Sequence, residues 1–136
     1  MKSIGIVEKV VNKAIVELNK RNEYHCARNG NWSCIVDAMG MTLCHYGAVV
    51  AVCARDRKFY CTATSASDRD GVNTFAMMVL GRPAVHFKDS VPVPMYSQEN
   101  DPDIVVLPTI SAVKDASFDA FRAATGGGIR WIEVRE

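Results

Sequence analysis

Hydroxyl-bearing residues crowd one short stretch of the chain: Thr62, Thr64, Ser65 and Ser67, closed by Asp68. Where a strand hands over to a helix, such hydroxyls and the free N–H groups of the first helical turn can hold a phosphate or a ribose. Positive charge for that purpose is close in sequence, in Arg69 and in the trio Arg55, Arg57 and Lys58. The residues nominated for ligand contact are therefore Arg55, Arg57, Lys58, Thr62, Thr64, Ser67 and Arg69. The competing structural reading is that Ser and Thr suit an exposed strand face, and that Ser67 or Asp68 caps the following turn.

Other reactive residue types are present without the spacing their chemistry needs. Cys44-His45 invites a thiolate–imidazole pair. Adjacent residues of a strand point to opposite faces, however, so the two meet only if the strand is bulged. His25-Cys26 meets the same obstacle unless it lies in a turn. His25, His45 and His86 are too widely spaced to set two metal ligands on one helical face. Gly126-Gly127-Gly128 lacks the Lys-Ser/Thr pair and following helix of a phosphate loop. Ser111-Ala112-Val113-Lys114 matches a serine acyl-enzyme pattern by letters alone, with its companion motifs missing. No catalytic residue, metal ligand or cofactor is nominated.

Composition narrows the field further. The 136 residues carry a formal charge of +1, with 49% hydrophobic and 23% charged residues. That length suits one domain over residues 1–136 with a sizeable core. The near-neutral balance excludes a generic polyanion binder and an acidic nucleic-acid mimic. The longest strongly apolar run, Ala48–Ala54, falls far short of the ~20 residues needed to span a bilayer. Charge at Glu8 and Lys9 interrupts the N-terminal apolar stretch, so no secretion signal is read and a cytoplasmic location is expected. The five cysteines lie 8, 10, 9 and 8 residues apart with no C-x-x-C pair. That spacing speaks for one buried free thiol per strand rather than a zinc site.

Those side chains need elements to position them. Ile4, Val7, Val11, Ile15 and Leu18 recur at helical spacing and define an N-terminal amphipathic helix. Four short strands follow, at Ser33–Ala38, Met41–His45, Ala48–Arg55 and Lys58–Thr64, with Asp56-Arg57 at a hairpin tip. Short connections make an antiparallel meander the simplest topology. Val49–Cys53 is apolar without alternation, which marks a central strand covered on both faces, the second cover being a helix or another subunit. Asp68-Arg69-Asp70-Gly71 is read as a break, Asn73–Leu80 as a short helix stopped by Gly81, and residues 88–103 as an exposed loop. Ile104–Leu107 resumes a strand, Ala116–Thr125 forms a third helix, and Ile129–Val134 is a last strand carrying Trp131. Trp32, Tyr46, Phe59 and Tyr60 lie among basic residues, and a core or interface role is expected for them rather than base stacking.

Three segments together show a recurrent arrangement. These are Leu43-Cys44-His45-Tyr46-Gly47-Ala48-Val49-Val50-Ala51, Phe59-Tyr60-Cys61-Thr62-Ala63-Thr64-Ser65 and the helix Asn73-Thr74-Phe75-Ala76-Met77-Met78. A strand with a spaced glycine, a Ser/Thr-rich strand and a short helix in this order resemble small phage-encoded accessory proteins of unknown function. The resemblance implies a protein that binds and blocks host machinery, and it carries over no site residue.

The expected fold is α+β: an antiparallel sheet of about five or six strands, with the N-terminal helix and two further helices packed on it. The expected function is non-catalytic binding of a protein partner, in its sharpest form a phage-type inhibitor of CRISPR or nucleotide-signalling immunity. One alternative is a small nucleotide-binding protein or enzyme using the 62–70 run. The other is a structural homo-oligomer component. Membrane association and non-specific nucleic-acid binding are not expected.

Overall fold

The computed structural model describes residues 3–20, 25–96 and 101–124. Its elements run α1 (Ser3–Asn19), β1 (His25–Asn29), β2 (Trp32–Asp37), β3 (Gly40–His45), β4 (Ala48–Ala54), β5 (Phe59–Cys61), α2 (Ala66–Leu80), β6 (Val85–Lys88), β7 (Val91–Pro94), β8 (Ile104–Val106) and α3 (Ile110–Ala124). β1 to β5 form the antiparallel meander that short connections dictate. β8 then adds beside β5 in parallel, completing a six-stranded sheet in the order β1-β2-β3-β4-β5-β8. A parallel neighbour needs a crossover, and the chain between β5 and β8 supplies it with α2 and the separate β6–β7 ribbon.

Each cysteine sits in a different strand, Cys26 in β1 through Cys61 in β5, and all five are free. β4 is the central strand, and its unbroken apolar run has two coverings. Val50, Ala51 and Cys53 join the main core with α1 and α2, while Val52 joins Tyr60 and Val113 of α3 on the opposite face. The chain's own third helix thus accounts for the second cover, with no second subunit required. Leu43, Phe59 and Phe75 are the largest side chains removed completely from water, each contributing roughly 1.5–3 kcal/mol.

Five elements differ from the sequence reading, β6 among them, where no strand was read. β1 was not anticipated, because His25-Cys26-Ala27-Arg28-Asn29 has little strand composition and is ordered by pairing with β2. α2 begins at Ala66 rather than Asn73, so Asp68–Gly71 is its opening and not a break. Ser65 is the N-cap, its hydroxyl accepting from the Asp68 amide at 3.1 Å. α3 begins at Ile110 rather than near Ala116, with the Thr109 hydroxyl accepting from the Ala112 amide at 3.0 Å. Residues 91–94 are not loop but strand β7, paired with β6. Its prolines, Pro92 and Pro94, are tolerated in a two-stranded ribbon because every strand there is an edge. The expectations for Gly126-Gly127-Gly128 and for Ile129–Val134 with Trp131 lie outside the described residues.

Two side chains hold together the segments that follow the start of α2. Asn73 of α2 accepts from the Ala84 and Val85 amides at 2.8 and 2.9 Å and donates to the Val85 carbonyl at 2.8 Å, hanging β6 on the helix. Arg82 grips Asp101 with two parallel bonds of 2.5 and 2.6 Å, and that guanidinium holds the Asp101 carboxyl below its ordinary value.

Gly71 lets α2 lie directly on the indole of Trp32; a Cβ there would clash with the ring, nearest to Trp32 Cη2. Gly71→Ala is therefore expected to destabilise the fold by about 1–3 kcal/mol through overpacking, against the ~1 kcal/mol that alanine otherwise gains in a helix. Urea denaturation reads the sign directly, and a stabilised variant would contradict this packing.

Candidate functional site

The residues nominated from sequence separate into two groups at opposite ends of β5. Arg55, Arg57 and Lys58 occupy the β4–β5 turn. Arg55 clasps the neighbouring β2–β3 turn, donating from Nε to Ala38 O at 2.9 Å and from Nη2 to Asp37 O at 2.7 Å. Arg57 reaches Val79 O at the end of α2, 3.2 Å from Nη1. Thr62, Thr64, Ser67 and Arg69 lie at the far end. The Thr62 side chain is completely buried and its hydroxyl has no hydrogen-bond partner among the described residues. Arg69 pairs with the adjacent Asp70 at 3.2 Å and sits 5.8 Å over the Phe87 ring. The N-terminal turn of α2, where a phosphate would sit, already holds a carboxylate of this chain, Asp68. Like charge opposes an anion at that position.

Asp68 belongs to a cluster the sequence did not reveal. Its Oδ1 lies 2.6 Å from Nδ1 of His45, and its Oδ2 accepts from the Thr64 hydroxyl at 2.7 Å and the Thr64 amide at 3.0 Å. Both side chains of the pair are nearly out of water, with 10% of His45 and 7% of Asp68 exposed. His45 is cross-strand partner to Trp32, and the two rings stack with centroids 3.9 Å apart and planes 6° from parallel. The Tyr46 ring follows, 4.5 Å from His45 and tilted by 39°. Trp32, His45 and Tyr46 thus form a ladder of rings from the core to the surface.

Strand geometry explains why Cys44 takes no part. The β3–β4 register shifts between Leu43 and Cys44, yet Cys44 and His45 keep opposite faces. The Cys44 thiol lies among Ser33, Cys26 and Lys114, and burial raises it from its ordinary value. Burial likewise pushes Cys34 and Cys61 up to about 12 and Cys53 to about 11. These four thiols are protonated at neutral pH and poor nucleophiles. No group of three metal-ligating side chains occurs among the described residues.

An ionised carboxylate only accepts hydrogen bonds, so His45 donates from Nδ1 and its neutral form leaves the lone pair on Nε2. That orientation is the one a general base requires. The pair ties the start of α2 to the end of β3 and fixes the imidazole plane beneath Tyr46.

Tyr46 itself is unusual. Tyr46 and Gly47 form the two-residue β3–β4 turn, with φ of 54° and 80°. Two positive φ values mark the turn type that favours Asn-Gly, and a bulky residue in the first position costs roughly 1–2 kcal/mol. The Tyr46 ring recovers little of this by burial, being 75% exposed. Its amide donates to Asn31 O at 2.7 Å, locking the β3–β4 tip to the β1–β2 tip. Between the tips lies a shallow cavity of about 230 Å3 lined by Arg28, Asn31, Trp32, Ser33 and Tyr46.

Compared with known protein families, curated proteins and solved structures, the chain matches none. Among the described residues no helix is long and apolar enough to cross a membrane. The class defined by fold and geometry is an α+β protein with a rigid aromatic surface at one end of its sheet.

Burial pushes the Asp68 acid up, but hydrogen bonds from His45 and from the Thr64 hydroxyl and amide, with the His45 charge, outweigh it and hold the acid below its ordinary value. The unfolded chain then takes up this proton first, near pH ~3.9, so stability rises with pH through this region. Asp68→Asn is expected to cost about 1–3 kcal/mol at neutral pH. That difference should be fully present above pH ~4 and shrink below it as the native carboxylate protonates. Parallel denaturation curves from pH 7 to 2.5 check this; a gap that stays constant would contradict the ionised clamp.

Proposed function

We propose that this chain is a non-catalytic binding protein whose contact surface is the joined tips of the β1–β2 and β3–β4 hairpins, with Tyr46 as the anchor for a protein partner. The single observation that carries this reading is Tyr46: three-quarters exposed and held at φ 54°. The fold gains no burial from a tyrosine there and would be better served by asparagine or glycine. Rigid, exposed tyrosines are favoured binding anchors because they bring large amphipathic area at small entropic cost. Arg28, Asn31 and Ser33 line the cavity beside it and offer donors to a partner's carbonyl or carboxylate groups.

A sharper form rests on the phage-like resemblance, which itself assigns no site residue. In that form the protein is an inhibitor that occupies a surface of a host defence component, of CRISPR or nucleotide-signalling type. Burial of the cysteines fits a blocking role better than a chemical one, because the thiols are spent on packing.

The test compares immobilised wild type with Tyr46→Asn in a host-cell lysate. The variant is expected to gain about 1 kcal/mol of stability by relieving the backbone, and to lose at least about tenfold in retention of the partner. Equal retention by a folded Tyr46→Asn protein would contradict the assignment. Retention of nothing but further copies of the chain itself would return the structural oligomer in its place.

A further inference from the structure

The opposite end of the sheet holds a second, chemically different feature. A cavity of about 390 Å3 opens between the ends of α1 and α2 and the strands β3 and β4. Ile15, Met41, Cys53, Met78 and Val79 give it an apolar, sulfur-rich floor, and Arg55 and Arg57 line it together. Its size falls within the range of small-molecule pockets, and methionines let such a floor adapt to an irregular apolar body.

Charge selects what the cavity would take. Among the described residues none that lines it is acidic. The carboxylates of the two neighbouring turns bond their own backbone: Asp37 accepts from the Met39 amide at 2.9 Å and Asp56 from the Lys58 amide at 3.0 Å. Arg55 binds its two carbonyls through Nε and Nη2, and Arg57 binds Val79 O through Nη1. A guanidinium carries five N–H donors, so both forks keep donors beyond these bonds.

Arg57 also occupies a costly position. Its amide donates to Ala54 O, and its φ is 71°. This is the left-handed position of a hairpin loop that normally falls to glycine. An arginine there runs against backbone preference, with its guanidinium at a cavity whose floor is apolar and whose other polar side chains are Arg55 and Asn19.

We propose that this cavity binds a small amphipathic anion, an unbranched apolar chain ending in a carboxylate. The chain lies on Met41, Met78, Ile15 and Val79, and the carboxylate meets Arg57 and Arg55. The site is independent of the Tyr46 surface, so either can fail without the other.

The test uses the full chain with methionine methyl groups labelled for NMR, titrated with decanoate below its micelle-forming concentration. Decan-1-ol supplies the chain without the charge, and inorganic phosphate the charge without the chain. The Met41 and Met78 methyl signals are expected to shift saturably with decanoate, those of Met77 and Met95 to stay, and the two controls to bind at least tenfold more weakly. Arg57→Gly should keep or raise the melting temperature, since glycine suits this φ, and should weaken decanoate at least tenfold. Arg57→Glu should weaken it further. Decan-1-ol binding as tightly as decanoate, shifts confined to other methionines, no saturable shift, or an unaltered response in a folded Arg57→Gly protein would each overturn the proposal.

Discussion

A single buried negative charge organises one end of the sheet. The Asp68 carboxylate is withdrawn from water and would be costly there without partners. It has three: the His45 imidazole, the Thr64 hydroxyl and the Thr64 amide, while its own amide is held by the Ser65 hydroxyl. These bonds serve two tasks. The Ser65 and Thr64 contacts start α2, and the His45 contact joins that helix to the sheet. The imidazole so fixed stacks on Trp32, which in turn seats Gly71 of the same helix. Helix, hairpin and ring ladder therefore close a loop of mutual support. Tyr46 stands at its outer end.

Backbone conformation separates residues that serve the fold from residues that serve something else. Asp89 and Ser90 at the β6–β7 tip also have positive φ, 52° and 64°. They are short, polar and exposed, and their side chains can bond the local backbone, so they suit a tight turn. Tyr46 and Arg57 occupy equivalent positions without that excuse. One is a large ring left in solvent, the other a long cation turned to the end of α2. Strain at positions where small residues suffice is a signature of selected side-chain chemistry. The two fall at opposite ends of the sheet, which is why they are read as separate surfaces.

Much of the scaffold was legible because its signals are local. Helical spacing from Ile4 to Leu18 gave α1, and the regular separation of the cysteines pointed to one thiol per strand, although no strand was read at Cys26. The unbroken Val49–Cys53 run identified the central strand. What failed was also systematic. The opening of α2 was hidden by Asp68, Asp70 and Gly71, which are poor helix formers; the Ser65-x-x-Asp68 capping pattern was the available sign. β8 was read as a strand at Ile104–Leu107, but its parallel pairing with β5, like the β6–β7 ribbon, depends on long-range contacts that no short window reports. Of the candidate site, Thr64 lay in the nominated hydroxyl run, and in the structure it holds Asp68. His45 and Asp68 are 23 residues apart, so their meeting follows from the fold and not from spacing.

The central claim is that the clamped hairpin tips are the surface the protein works with. Hydrogen exchange of the wild-type chain, free and bound to the protein it retains from host lysate, tests this most directly. The account predicts that binding slows the amides at the two tips, across Asn29–Ser33 and His45–Ala48, and leaves α3 and the Arg55–Lys58 turn unchanged. Protection confined to α3, to the β6–β7 ribbon or to the Arg55–Lys58 turn would contradict it.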